Sequence, residues 1–169
     1  MDYSSFIRDI PDFPKKGIIF KDITTLLKDP KAMKRSIDDL ANEYRDKKID
    51  KVAGAESRGF IFGAAVAYLL DAGFVPIRKP GKLPADTLSK SYSLEYGTAT
   101  IEIHKDAISK GEKVLIVDDL LATGGTTKAM IDLIRMLGGE IVGCAFLIEL
   151  EFLNGRNGID VPIFSLVRY

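Results

Sequence analysis

The sequence predicts a single α/β domain over residues 1–169, with a mainly parallel central sheet flanked by helices. Three observations carry that expectation. Short apolar runs at 49–55, 74–77, 114–117 and 140–148 alternate with segments of helical periodicity, the order of parallel strands joined by covering helices. The run Val114-Leu115-Ile116-Val117 has no polar position, as a strand buried on both faces requires. Two of the runs pass through small polar residues into a helix start, at Glu56-Ser57-Arg58-Gly59 and at Ala122-Thr123-Gly124-Gly125-Thr126-Thr127. A chain of 169 residues that is 46% hydrophobic has ample material for one core.

Taken in order, Phe6, Ile7 and Ile10 are spaced for one helical face, so a short N-terminal helix is expected to end before Pro11. From Ile10 to Ile23, two prolines and a glycine force an irregular path. Its apolar content suits either a plug for the core edge or a small hood over a flat ligand, with Phe20 stacking on it. Asp29-Pro30 has the form of an N-cap followed by proline at the first helical position, and Met33, Ile37, Leu40 and Tyr44 follow on one face. A strand over 49–55 and an apolar helix around Phe60 to Leu70 come next.

Phe74 to Ile77 forms another strand, from which the basic segment Arg78 to Pro84 runs off as a loop. Residues 85–97 are polar with scattered aromatics, the composition of a hairpin or mobile flap. Alternation over 98–103 gives a half-buried strand with Thr98, Thr100 and Glu102 on its polar face. His104, the sole histidine, is expected to be a surface residue in the turn that follows.

The strand at 114–117 ends in Asp118 and Asp119, and the helix after it carries Met130, Ile131, Ile134 and Leu137 on one side before Gly138-Gly139 stops it. Glu140 to Ile148 reads as a buried strand containing Cys144. Glu149 to Gly155 is a short turn or helix, in which Phe152 or Leu153 packs into the core or closes a ligand pocket. Residues 161–169 make an edge strand.

Basic and acidic residues number 24 each, so the formal charge is zero and no overall attraction draws the chain to nucleic acid or an anionic membrane. A small ligand is expected instead. One cysteine excludes an internal disulfide. Neither an opening signal-peptide pattern nor a run of 18 apolar residues is present in this sequence, and a cytoplasmic protein is expected.

The central strand, loop and helix start is the strongest chemical signal. Ligands of open α/β sheets bind beyond the carboxyl ends of the strands, where a helix N-terminus offers unpaired N–H groups. Glycines let backbone approach a phosphate, and Thr123, Thr126 and Thr127 add hydroxyl donors. The spacing is not that of a Walker P-loop. Two carboxylates about 4 Å apart repel by about 1 kcal/mol in water and about 4 kcal/mol at an effective dielectric of 20. Ribose hydroxyls or hydrated Mg²⁺ would offset this; alternatively each acid is solvated on its own face or caps a turn. Glu56-Ser57-Arg58 likewise either caps a helix or offers Arg58 to an anion through charge-assisted bonds.

A hydrophobic strand, two acids and then Ala122-Thr123-Gly124-Gly125-Thr126 resembles the signature of the type I phosphoribosyltransferases, which bind 5-phosphoribosyl 1-pyrophosphate (PRPP). The segment from Pro11 to Phe20-Lys21-Asp22-Ile23, the run Ser93-Leu94-Glu95-Tyr96-Gly97 and the C-terminus from Val161 to Tyr169 are similar to the adenine-using branch of that family. The resemblance implies the type I fold with an N-terminal hood and a mobile flap, and the reaction of adenine with PRPP to give AMP and pyrophosphate. It implies that Asp118 and Asp119 meet the ribose 2′ and 3′ hydroxyls and that Ala122, Thr123, Gly124, Gly125 and Thr126 hold the 5′-phosphate.

Pyrophosphate would lie on the loop of Glu56, Ser57 and Arg58, often with a cis peptide that here falls between Glu56 and Ser57. Arg78, Lys79 and Lys82 would add positive charge from the same chain or across a homodimer interface. Adenine would be read by backbone near Ile19 and Lys21, where family members often carry arginine at Lys21, with Phe20 stacking on the base. Its amino donor and N1 acceptor match one C=O and one N–H, and a 6-oxopurine reverses both roles at a cost of about 1–3 kcal/mol for each mismatched bond. Glu95 would assist proton removal from the purine, and Tyr96 would close the site. Mg²⁺ would arrive with PRPP rather than on a protein ligand set, with water linking it to Asp118 and Asp119. No nucleic acid or membrane partner is implied.

Two other readings are open. A 6-oxopurine enzyme would want a donor to O6, for which no clear lysine follows Gly125. A PRPP-binding transcriptional regulator would need a DNA-binding element, whereas this sequence has no basic surplus and keeps the Glu95-Tyr96 flap.

Overall fold

The chain was analysed as a computed structural model that describes residues 1–94 and 97–169. In chain order its elements are β1 (Arg8–Pro11), β2 (Ile19–Asp22), α1 (Thr24–Leu27), α2 (Pro30–Asn42), β3 (Lys51–Ala55), α3 (Arg58–Leu69), β4 (Gly73–Ile77), β5 (Thr87–Ser93), β6 (Thr98–His104), β7 (Lys113–Leu121), α4 (Gly125–Met136), β8 (Glu140–Glu149) and β9 (Ile163–Arg168). The apolar runs become a five-stranded sheet in the order β4-β3-β7-β8-β9. Every pairing within it is parallel, and β9 lies at an edge as expected.

The lack of polar positions in β7 is explained by its central place. Alternate residues serve opposite faces: Leu115 and Val117 pack with Leu40, Phe62, Val66 and Leu147 beneath α2 and α3. Val114 and Ile116 pack with Ile77, Ile103, Met130, Ile134 and Phe146 beneath α4 and β6. Each such side chain contributes about 1.5–3 kcal/mol when fully buried. Cys144 lies in this second cluster, and burial pushes its thiol up to about 12.

The helix boundaries follow the sequence signals. Asp29 Oδ1 accepts from the amides of Lys31 at 3.0 Å and Ala32 at 2.8 Å, a cap that contributes about 1 kcal/mol. After α4, Gly138 takes a φ of 87° and donates to the Arg135 carbonyl, while Gly139 donates to that of Ile134.

Four local expectations are corrected. The N-terminal helix is only a 3-10 turn over Ser4–Phe6, and residues from Arg8 onward pair antiparallel with Ile19–Asp22. So short a segment before a proline cannot sustain a helix, whereas strand pairing satisfies its backbone. The stretch expected to be irregular is consequently a hairpin. Its turn contains a cis Phe13-Pro14 peptide and positive φ values at Asp12 and Gly17, with the Gly17 amide donating to Asp12 Oδ1 at 2.7 Å.

Third, the strand at 114–117 does not stop at the two acids. It continues to Leu121 because β8 runs alongside and pairs with it as far as Glu149. Fourth, Phe152 and Leu153 do not pack into the core but stand 68% and 38% exposed on a 3-10 turn over Glu151–Leu153. The flap segment forms a separate two-stranded sheet of β5 and β6, joined to β4 by reciprocal hydrogen bonds between the backbones of Arg78 and Glu102. His104 lies at its base and accepts from the Ala85 amide at 3.3 Å through Nε2.

Candidate active site

Parallel strands point their carboxyl ends to one side, and the turns after β3 and β7 lead there into α3 and α4. The result is a cavity of about 620 Å³. Phe20 from β2, Glu56, Ser57 and Arg58 from the turn after β3, Lys79 after β4, Asp118 and Asp119 on β7 and Thr126 at the start of α4 all line it. Residues scattered over the chain are thus brought to one place. The Glu56–Ser57 peptide is cis.

The two acids sit against each other. Asp118 Oδ1 accepts from the Asp119 amide at 2.9 Å, and Asp119 Oδ2 lies 2.7 Å from Arg58 Nη2. Burial, reinforced by the negative charge of Asp119, holds the Asp118 carboxyl well above the usual carboxylate range. Burial also raises Asp119, against the pull of the Arg58 guanidinium. The Arg58 contact is an ion pair without hydrogen-bond alignment, so Asp119 Oδ2 has no hydrogen-bond donor among the described residues. Gly59 leaves space for this pair, since a Cβ there would collide with Asp118 Oδ1.

Arg58 also faces upward. Its guanidinium carbon is 5.0 Å from the centre of the Phe20 ring, which also meets the Phe13 ring edge-on at 5.2 Å. Phe20 therefore lies over the cavity, between the hood and the two acids. Ile19 and Lys21 do not line the cavity. Ile19 is 58% exposed, and the Lys21 ammonium pairs with Asp9 at 2.7 Å beneath the Tyr169 ring at 3.6 Å.

The basic loop divides. Glu56 accepts from the Lys79 amide at 2.6 Å and from Arg78 Nη2 at 3.5 Å, and the Lys79 bond is the chief cause of its lowered pKa. Arg78 is thereby turned onto Glu56, and its Nη1 donates to the Lys82 carbonyl at 3.4 Å. Lys79 reaches the cavity, while Lys82 stands exposed away from its lining.

Of the loop after β7, Thr123 and Gly125 line an adjoining hollow of about 570 Å³ together with Ser93 and Lys128. Gly124 takes a φ of 83°, which favours glycine. Ala122 and Gly124 lie backbone to backbone against Gly155.

A sequence model of the phosphoribosyl transferase domain matches residues 24–160. The adenine phosphoribosyltransferase of Geotalea daltonii is 62% identical over 169 residues, covering 99% of each chain. The chain belongs to the adenine phosphoribosyltransferase family. The crystal structure of an adenine phosphoribosyltransferase from Thermoanaerobacter pseudethanolicus is similar at a TM-score of 0.96 and 56% identity, over 99% of this chain and 98% of that one. The Saccharomyces cerevisiae adenine phosphoribosyltransferase, solved with an imino-altritol bisphosphate and adenine, is similar at a TM-score of 0.91 and 39% identity, over 97% and 98%. The chain thus has the type I phosphoribosyltransferase fold expected of it.

Among the lining residues that sequence reasoning did not single out, Tyr92 makes a polar contact in the site. The Tyr92 hydroxyl, on β5, lies 2.9 Å from Thr126 Oγ1, and the same strand is tied to α4 by Lys90 and Asp132 at 2.8 Å. Alternation within 87–93, which puts Leu88, Lys90 and Tyr92 on one side, is the signal that points to it. Glu95 and Tyr96 lie outside the described residues. Among the described residues no group of three or more histidine, cysteine or acidic side chains is placed to hold a metal. Two carboxylates beside a glycine- and threonine-rich loop suit Mg²⁺ that comes with a polyphosphate, because Mg²⁺ keeps several waters and is commonly held by one or two carboxylates plus substrate phosphates.

Proposed function

We propose that this chain transfers the 5-phosphoribosyl group of PRPP to adenine, forming AMP and releasing pyrophosphate, with the residue roles that follow. The observation that carries the reading is the single cavity joining the Phe20 ring, the Glu56-Ser57-Arg58 loop, the Asp118-Asp119 pair and Thr126. The yeast relative was solved in complex with adenine and an imino-altritol 1,6-bisphosphate, a pair of ligands that suits these parts.

The ribose 2′ and 3′ hydroxyls donate to Asp118 and Asp119. The orphaned Asp119 Oδ2 is an acceptor that lacks such a donor. With ribose bonded there, Arg58 is released from Asp119 toward the pyrophosphate. The 5′-phosphate rests on the amides and hydroxyls of Ala122, Thr123, Gly124, Gly125 and Thr126 at the N-terminus of α4. Glu56 and Ser57 bind pyrophosphate through their backbone, and Lys79 supplies charge from the cavity wall. Arg78 positions the loop by holding Glu56, and Lys82 acts from the rim. Mg²⁺, bound with the diphosphate and watered to Asp118 and Asp119, would neutralise charge on the leaving group.

Adenine stacks beneath Phe20, and the backbone of Ile19 and Lys21 meets its amino group and N1. Glu95 assists removal of the purine proton, and Tyr96 closes the flap so that water does not hydrolyse PRPP. The protein works as a homodimer in the cytoplasm. Its lone, buried cysteine suits a reducing compartment, and among the described residues no helix is long and apolar enough to cross a membrane.

The test is incubation with Mg²⁺, PRPP and one base at a time, measuring nucleotide and pyrophosphate. Adenine alone should turn over. Turnover of hypoxanthine or guanine instead would sink the backbone recognition by Ile19 and Lys21 while keeping the PRPP site. PRPP binding without any turnover would favour the regulator.

A further inference from the structure

The most enclosed ionic group outside the cavity is Glu149, at the carboxyl end of β8. Its side chain is only 3% exposed, a position that is costly for a carboxylate unless it is paired. Two segments supply the partners, the turn that carries Arg156 and strand β9. Arg156 engages it through both arms, Nε to Oε1 and Nη2 to Oε2 at 2.7 Å, as a bidentate pair. Ser165 Oγ on β9 donates to Oε2 at 2.7 Å, and Arg168 Nε stands 3.8 Å away. The Arg156 Nη1 group also donates to the Ile163 carbonyl at 3.4 Å. None of these residues lines the cavity.

What the pair holds is Gly155, the residue before Arg156. Its backbone lies directly against the loop after β7. A Cβ on Gly155 would collide with the Ala122 carbonyl, and a Cβ on Gly124 would collide with the Gly155 carbonyl. Close packing of this kind leaves neither backbone room to move toward the other. The turn carrying Gly155 is short, with Asn154 in the left-handed region and the Asn157 amide bonded to the Asn154 carbonyl. Glu149 in turn extends the strand that pairs with Leu121, the residue just before Ala122. Glu149 therefore touches both ends of the contact, through its carboxylate on Arg156 and through its backbone beside Leu121.

We propose that Glu149 and Arg156 are positioning residues for the phosphate loop, acting through Gly155 as a rigid backstop behind Ala122 and Gly124. The proposal rests on the assignment of that loop to the 5′-phosphate. Phosphate binding by backbone amides requires them to converge on one point before the ligand arrives, and a loop free to recede loses that convergence. Adenine, held by the hood on the other side of the cavity, is not affected by this contact.

The test compares wild type with Arg156→Met and Arg156→Lys. Measured quantities are the KM for PRPP, the KM for adenine at saturating PRPP, the Kd for ribose 5-phosphate, and amide hydrogen exchange over residues 122–126 without ligand. Arg156→Met should raise the PRPP KM and the ribose 5-phosphate Kd about tenfold, keep the adenine KM within about twofold, and speed exchange at 122–126. Arg156→Lys keeps the charge but loses the fork, and should fall between the two. A folded variant with PRPP and ribose 5-phosphate affinities within twofold of wild type overturns the proposal, whatever its melting temperature. If Arg156→Met does not fold, Arg156→Lys decides by the same readouts. Failure of the wild type itself to bind ribose 5-phosphate would instead overturn the assignment of the loop.

Discussion

Gly59 is the point at which the turn after β3 meets the acids of β7. Its hydrogen occupies the only space beside Asp118 Oδ1 that a Cβ would need. Gly59→Ala should therefore displace the Asp118 carboxylate and lower kcat/KM for PRPP by at least about tenfold, since small displacements of positioning groups are costly. Alanine also favours the helix by about 1 kcal/mol over glycine, so the melting temperature should change little. An unchanged kcat/KM would show that Asp118 is free to move without penalty. The acids themselves stood out because two adjacent carboxylates after an apolar run repel, which a ligand would offset and solvation or turn capping would also relieve. The use of Arg58 was legible only in part. Sequence gave its charge and position, but its pairing with Asp119 and its place beneath Phe20 depend on three separate segments meeting.

The β5–β6 hairpin is docked rather than free along its length, because Lys90 pairs with Asp132 and Tyr92 meets Thr126. Tyr92→Phe removes one hydroxyl and keeps the ring packed against α4. The lost bond, about 0.5–1.5 kcal/mol, should raise the KM for PRPP about two- to tenfold with little effect on thermal stability. Steady-state kinetics and a melting curve check this, and a wild-type KM would leave the Tyr92 contact without a role in binding. The core strands were readable from the chain because each is an apolar run bounded by turns. The β1 strand was not, since Phe6, Ile7 and Ile10 span too few residues to distinguish a helix from a strand. Its state is set by a partner strand whose paired residues lie 8 to 14 positions further along the chain. The extension of β7 through Asp118 and Asp119 was hidden for the same reason, being imposed by β8.

For the molecule as a whole, the parallel sheet leaves its outer helices with unequal surfaces. Ile61 and Tyr68 of α3 are 37% and 84% exposed, and Tyr68 borders an apolar hollow shared with Met33 and Ile37 of α2. Exposed apolar surface of this kind favours association. Sedimentation at micromolar concentration should give twice the 18.6 kDa chain mass. A fully active species of single-chain mass would remove the homodimer from the proposal.

The hood is hydrogen-bonded as a two-stranded sheet of its own, apart from the five strands that carry the acids and the phosphate loop. Its position over the cavity is set by packing, and its sequence is confined to the first two dozen residues. With the roles proposed above, choice of nucleobase and grip on the activated sugar are written in different paragraphs of the chain. A lineage that needs to salvage another base can revise the first without disturbing the second.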